Sequence, residues 1–520
     1  MFQLLCLVTK ETRKKAFRVK KIVRQRLVRE KRRIERRLKA AVVVNEGRPV
    51  LRGGNIEYEL SSRTSGIAHG GMGMVQRVVR QIGLAEAINA HVSVLKIHKP
   101  YHESDHVLNI AYNALCGGER LEDIELRRND RVMLDALGAP SLPDPTTAGD
   151  FCRRFDGPSI DGLMDAINDT RLKVWARQAD PFRAETARID ADGTIIPTTG
   201  ECKEGMDISY NGIWGYSALV VSLANTGEPL YLRNRPGNRP SHEGVIELFD
   251  RAIALVRKGG FTDVLLRGDT DFSLTTELDR WNDDGVRFVF GYDARANMIA
   301  QAGRVPDTLY RELERQADIH LRTRPENVKD RIVRERKYKV IRTTSEEVFD
   351  FEYQPVSCRQ SYRIVVLRKN LSIERGEAAL FDDVRYFFFI TNDRDMSCTE
   401  VVQEARQRCN QENLIAQLKG GVRALHAPVN SLHANWAYMI MAALAWSLKA
   451  WIALLVPVSP RWAADHLDQR RRLLTMDFRT FVAAIIHIPC QIIRAARRIR
   501  YRVLAWNEWQ LTFFRLLDAV

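Results

Sequence analysis

The chain has no Cys-x-x-Cys pair and no cluster of cysteine with histidine. Its eight cysteines stand apart, at 6, 116, 152, 202, 358, 398, 409 and 490. That scatter argues against structural zinc and against a disulfide framework, and it predicts a reducing compartment, the cytoplasm. The first eight residues are too short, and lack the basic start, for a secretory signal. One stretch, Trp436 to Val458, has the length of a membrane span, but Lys449 and Pro457 interrupt it. Burying Lys449 in lipid costs several kcal/mol, so a core helix and no membrane partner are expected. Acids are scarce where bases are dense: residues 1–40 set 16 Lys/Arg against Glu11, Glu30 and Glu35. Most of the formal charge of +15 therefore sits in this arm, and the remaining chain is nearly balanced. Such a distribution predicts a polyanionic partner for the arm rather than a uniformly basic body.

A length of 520 residues allows roughly two to four domains. Residues 1–45 read as the basic arm, with Val23, Leu27, Ile34 and Leu38 spaced as on an amphipathic helix, and residues 41–56 as a linker. Residues 57–160 carry helical periodicity punctuated by Gly83, Gly117-Gly118 and Gly138. Thr146 and Thr147 are expected to cap the helix bearing Arg153 and Arg154. These two, with Arg127, Arg128 and Arg131, are candidate phosphate contacts, so the segment reads as a helical DNA-binding domain. From Ala187 the period changes. Arg188–Pro197 reads as a strand, 217–223 and 230–235 as a hairpin, 241–257 as a helix, and 264–266 and 286–290 as further strands. Residues 180–450 thus form a helix-covered mixed sheet, an α/β core, with a β-rich insertion at about 295–385. Residues 451–520 are expected to be helical.

Three acids stand at functional ends of this pattern. Asp192 is read as closing the first strand, Asp269 follows the strand 264–266, and Glu412 lies on the helix after the last strand. Carboxylates gathered at neighbouring strand ends need a cation between them, and hard oxygen donors favour Mg²⁺, with Mn²⁺ as the alternative. Each acid also has a plain structural role open to it. Asp192 before Gly193 suits a turn, Asp269 and Asp271 suit a helix cap, and Arg408 with Glu412 suits a surface i,i+4 pair. Asp190 is the weaker candidate, expected to face away from Asp192. Between Arg406 and Lys419 there is no Gly or Pro, so one helix is expected there, with Arg408, Glu412, Ile415 and Lys419 within roughly 40° of each other.

In order, Asp-Gly-Thr (192–194), Tyr-Asn-Gly-Ile-Trp-Gly-Tyr (210–216), Arg-Pro-Gly-Asn (235–238), Arg-Gly-Asp-Thr-Asp-Phe (267–272) and Arg408-x3-Glu412-x6-Lys419 resemble the DDE transposases of bacterial insertion sequences. The similar branch is the one with a Tyr-x2-Arg-x3-Glu-x6-Lys signature, insertion-sequence family 1380. The resemblance implies an RNase-H-like core with a β-insertion before the third acid, and Asp192, Asp269 and Glu412 as catalytic metal ligands. It further implies DNA contacts from Arg408 and Lys419, double-stranded DNA as partner, and cleavage at transposon ends followed by 3′-hydroxyl strand transfer. A homodimer in the DNA complex follows from the need to bring two ends together. Position 405, where the signature has Tyr, is Ala, and Asp271 stands where a small residue is common. Two rival expectations are an inactive DNA-binding descendant and an RNase-H-like nuclease.

Overall fold

A computed structural model describes residues 21–39, 64–200, 202–313, 336, 339–375, 378–495, 498–504 and 506–520. The expected linker at 41–56 and the start of the arm lie outside them. Of the arm, residues 21–39 form one helix with Ile22, Val28, Ile34 and Leu38 exposed.

The body is built on a ten-stranded mixed sheet. Its strands are β2 (Ala187–Pro197), β3 (Asp207–Ile208), β4 (Trp214–Leu223), β5 (Glu228–Pro236), β6 (Val264–Gly268), β7 (Arg287–Tyr292), β8 (Arg311–Glu312), β9 (Lys339–Tyr353), β10 (Tyr362–Arg375) and β11 (Ala378–Thr391). β1 (Ser65–Ile67) lies elsewhere, in a small second sheet. β2 pairs antiparallel with β4, and β4 with β5, whereas β2, β6 and β7 run parallel. The crossover between β5 and β6 is the helix Val245–Lys258, whose apolar residues Leu248, Phe249, Ala252 and Val256 are buried. β9, β10 and β11 form long antiparallel ladders, and β11 rejoins the parallel part through β7.

The helix Leu432–Leu455 has the length and hydropathy of a membrane span, yet 94% of its most apolar window is buried within the protein. Lys449, fully buried, donates to the Leu474 carbonyl at 2.7 Å and lies 3.9 Å from the Trp446 ring centre. Burial pulls its pKa down to about 7, with Asp477 opposing the shift only in part. A base whose pKa is lower folded than unfolded makes stability rise with pH between those two values. Lys449→Met is therefore expected to stabilise the protein by about 1–3 kcal/mol below pH 7, with the gain shrinking as pH rises. Urea unfolding across that range measures it, and a destabilised variant would refute the account.

Several expectations change. The boundary at 450/451 falls inside Leu432–Leu455, and the boundary at 160 inside the helix Gly157–Trp175. These two helices are tied through Glu228 on β5, which accepts from Arg171 at 2.9 Å, Trp175 at 3.1 Å and Trp451 at 2.7 Å. The helical layer is thereby fastened to the sheet by a fully buried ion pair. The C-terminal region is not wholly helical: β12 (Cys490–Ala495) and β13 (Arg498–Val503) form a hairpin that pairs with β1. Asp144, not Thr146 or Thr147, caps the helix Pro145–Cys152, because its carboxylate reaches the Thr147 N–H at 2.8 Å. Arg127 is buried and donates to the Cys116 carbonyl, which removes it from the candidate phosphate contacts.

Candidate active site

β2 and β6 bring two of the acids together by register. Asp190 pairs with Arg267, so two residues further on Asp192 falls alongside Asp269. Parallel neighbours sit about 4.8 Å apart. Asp192 does not close β2, which continues to Pro197; it lies just beyond the point where β6 stops pairing. That early end of β6 opens the cleft. Asp269, extended at φ −78°, leaves the sheet into the turn Thr270–Phe272 and accepts the Asp271 N–H at 3.0 Å. The capping role and membership of the acid cluster are thus filled by one side chain. The turn sits close on β7: a Cβ at Gly291 would stand 2.9 Å from the Thr270 nitrogen and 3.1 Å from the Asp269 carbonyl carbon.

The third acid arrives on a helix laid over the same face. The expected single helix divides into Cys398–Gln407 and Cys409–Gly420, joined at Arg408. Arg408 keeps near-helical dihedrals, but the Gln411 N–H bonds to its carbonyl at 2.8 Å, a tighter i→i+3 turn. The second helix is held down by Gln411, which donates to the Val220 carbonyl at 2.9 Å and accepts from Ser222. Glu412 is left projecting, 61% exposed. Arg408 lies between the acids, 3.5 Å from Asp192 and 3.6 Å from Glu412. Lys419 donates to the Ile195 carbonyl at 2.9 Å, further along β2.

Electrostatics show these groups acting on each other. Burial pushes the Asp192 carboxyl up to about 6; Arg408 opposes this, while Asp269 and Glu412 add to it. Asp269 is raised for the same reasons, burial first, with Asp271 and Glu412 contributing. Burial lowers Lys419, and Asp192 opposes that. The result is a half-buried acidic cluster offset by one loosely placed guanidinium.

Asp190 does not face away from Asp192: residues two apart on a strand share a face. What separates them is pairing. Asp190 is fully buried and makes two hydrogen bonds to Arg267, at 2.7 and 2.8 Å. Arg267 also reaches Glu404 at 2.7 Å, and Glu404 takes Arg188 at 2.7 Å. Sequence reasoning missed this four-residue bridge, although the Arg267–Asp269 and Asp190–Asp192 spacings hint at it. Ala405 packs on the small apolar cluster of Leu265, Val289, Val401 and Val402 rather than beside Glu412. Arg153 and Arg154 are exposed on the helical layer, Arg153 paired with Asp150 and Asn430. Another compact group of potential ligands among the described residues is His98, His102 and Glu103. There Glu103 is engaged with the Val94 and Leu95 N–H groups and with His98.

Comparison with protein-family models places the chain among the transposases. The matching model is Transposase DDE domain group 1, over residues 61–519, and the chain belongs to that family. No curated protein matches it. Among solved structures, a cryo-EM structure of a piggyBac transposase synaptic complex with hairpin DNA is similar over 81% of this chain and 84% of that one, at 9% identity and a TM-score of 0.35.

Proposed function

We propose that this transposase serves a bacterial insertion sequence of the family 1380 kind. It binds the terminal inverted repeats of its element, cuts the strands there with Mg²⁺ or Mn²⁺, and joins the freed 3′-hydroxyl to target DNA. The observation that carries this reading is the convergence of Asp192, Asp269 and Glu412 on one cleft from two neighbouring strands and the helix above them. The order β5-β4-β2-β6-β7 supports an RNase-H-like core, with β9–β11 as the inserted element.

Asp192, Asp269 and Glu412 are assigned as catalytic carboxylates and metal ligands. The donor set fits a divalent cation: three hard oxygen ligands, with burial and neighbouring carboxylates raising Asp192 and Asp269 further than the single Arg408 guanidinium lowers them. A bound Mg²⁺ supplies Lewis acidity to the attacking and leaving oxygens of a phosphodiester. The protein's own part is to hold the carboxylates in register and to place Arg408 and Lys419 where phosphates of the cut strand pass. The basic arm, with Arg153 and Arg154 on the helical layer, is assigned to DNA outside the cleft, and two copies join two ends in the cytoplasm. The test is metal-dependent cleavage of DNA carrying the inverted repeats that flank the gene. Cutting that ignores the repeat sequence would favour the nuclease alternative, and no cutting with intact repeat binding would favour an inactive descendant.

Two further outcomes follow. Gly291→Ala should push the Asp269 turn off β7, lowering cleavage by about a hundredfold and stability by about 1–3 kcal/mol; unaltered cleavage would show that the turn's seat is unimportant. Deleting residues 1–40 should flatten the dependence of log affinity on log salt, since the lost contacts are to phosphates. An unchanged slope would remove the arm from the interface.

A further inference from the structure

The motif at 210–216 has no part in the carboxylate cleft, yet it carries the densest exposed apolar surface among the described residues of the core. Tyr210 is 94% exposed, Trp214 53%, Ile208 44% and Ile213 39%. They sit on the tip of a short hairpin in which β3 pairs with Trp214 and Gly215. The turn is built, not loose. The Ser209 N–H bonds to the Ile213 carbonyl at 2.8 Å, the Ile213 N–H returns to the Ser209 hydroxyl at 3.0 Å, and Gly212 takes φ +80°. Its base is braced by Tyr216, whose hydroxyl donates to the Glu204 carbonyl at 2.9 Å. Gly237 packs so closely on Asp207 and Gly215 that a Cβ there would clash with both carbonyl oxygens. The protein thus holds two large rings out in solvent on a rigid support.

Register fixes where they stand. Asp192 pairs with Val220, and the unbroken β2–β4 ladder puts Trp214 on the same sheet face, six residues further along β4. At about 3.3 Å per residue the separation is roughly 20 Å, or about six stacked nucleotides at 3.4 Å each. Lys419, held at Ile195, lies between the carboxylates and the tip.

We infer that the hairpin tip is a stacking platform: Tyr210 and Trp214 take unpaired nucleobases of the DNA strand that leaves the carboxylate cleft past Lys419. This rests on the transposase reading. Aromatic faces bind bases of any sequence, and phosphates between them suit the intervening cation. A second protein copy fits less well, because a four-side-chain tip is far smaller than the about 800 Å² per partner of a stable interface.

The experiment uses the full chain, a blunt duplex and the same duplex with a single-stranded thymidine tail. The wild type should prefer the tailed duplex by about tenfold. The double variant Tyr210→Ala, Trp214→Ala should lose that preference and keep blunt-duplex affinity, while Tyr210→Phe, Trp214→Phe retains it. A wild type without preference, or an alanine double variant that keeps it, overturns the inference. So does a double variant that loses only self-association in light scattering. Tail preference without metal-dependent end cleavage would leave the platform standing and remove the catalytic reading; cleavage without tail preference would do the reverse.

Discussion

Asp269→Asn is expected to lower metal-dependent strand cleavage by about a thousandfold or more, with the fold intact. The substitution is nearly isosteric, and the amide oxygen can still accept the Asp271 N–H that Asp269 accepts at 3.0 Å, so the turn keeps its cap. What disappears is one negative charge from a cleft holding three. Two effects separate a ligand from a mere cap. First, Mn²⁺ affinity measured by calorimetry should fall along with cleavage. Second, Asp269 is among the groups that hold the Asp192 carboxyl near 6. In the wild type, lowering pH through about 6 adds a proton to Asp192 and should weaken metal binding. With Asp269 replaced by a neutral amide, Asp192 ionises more readily and that loss should move to lower pH. Wild-type cleavage by the Asn variant would sink the assignment, and an unmoved pH profile would show that the two acids do not share a site.

The parts legible in the sequence are those set by local period and by order. A continuous apolar run, Ala218 to Val221, marks β4, and the Gly259-Gly260 stop separates the Val245–Lys258 helix from β6. Asp192, Asp269 and Glu412 could be ranked because each follows a strand-like run. The missed features depend on contacts distant in the chain. Nothing between Arg406 and Lys419 announces a break at Arg408; the turn tightens where its guanidinium lies between Asp192 and Glu412. Ile499, Tyr501 and Val503 do alternate, but the arginines among them read equally well as a basic helix, and pairing with β1 decides the matter. Asp190 looked like a spare acid because its partner lies on another strand.

Arg267→Ala is expected to cost about 3–5 kcal/mol, the largest stability loss among the changes considered, because it leaves a buried charge without a partner. Arg267 is 1% exposed and Asp190 equally so, with two hydrogen bonds between them. Glu404 would keep Arg188, whereas Asp190 would keep nothing of comparable strength. Burial already raises the Asp190 carboxyl in the wild type against the pull of Arg267; without that pull, and with Arg408 left as the weaker opposing charge, it would rise further above the unfolded value. The destabilisation should then be full at high pH and relieved as pH falls through that raised value. Urea unfolding at several pH values checks both size and sign, and a loss under about 0.5 kcal/mol would mean that the bridge is not stabilising. The double variant Asp190→Leu, Arg267→Met removes both charges and should recover most of the loss, since apolar isosteres often replace a buried pair without penalty. Cleavage should not recover with it. Arg267 also grips Glu404 on the helix Cys398–Gln407, which leads through Arg408 into the helix carrying Glu412. A double variant that is stable but slow would identify the bridge as the device that positions the third carboxylate over the other two; one that is stable and fast would confine it to the core.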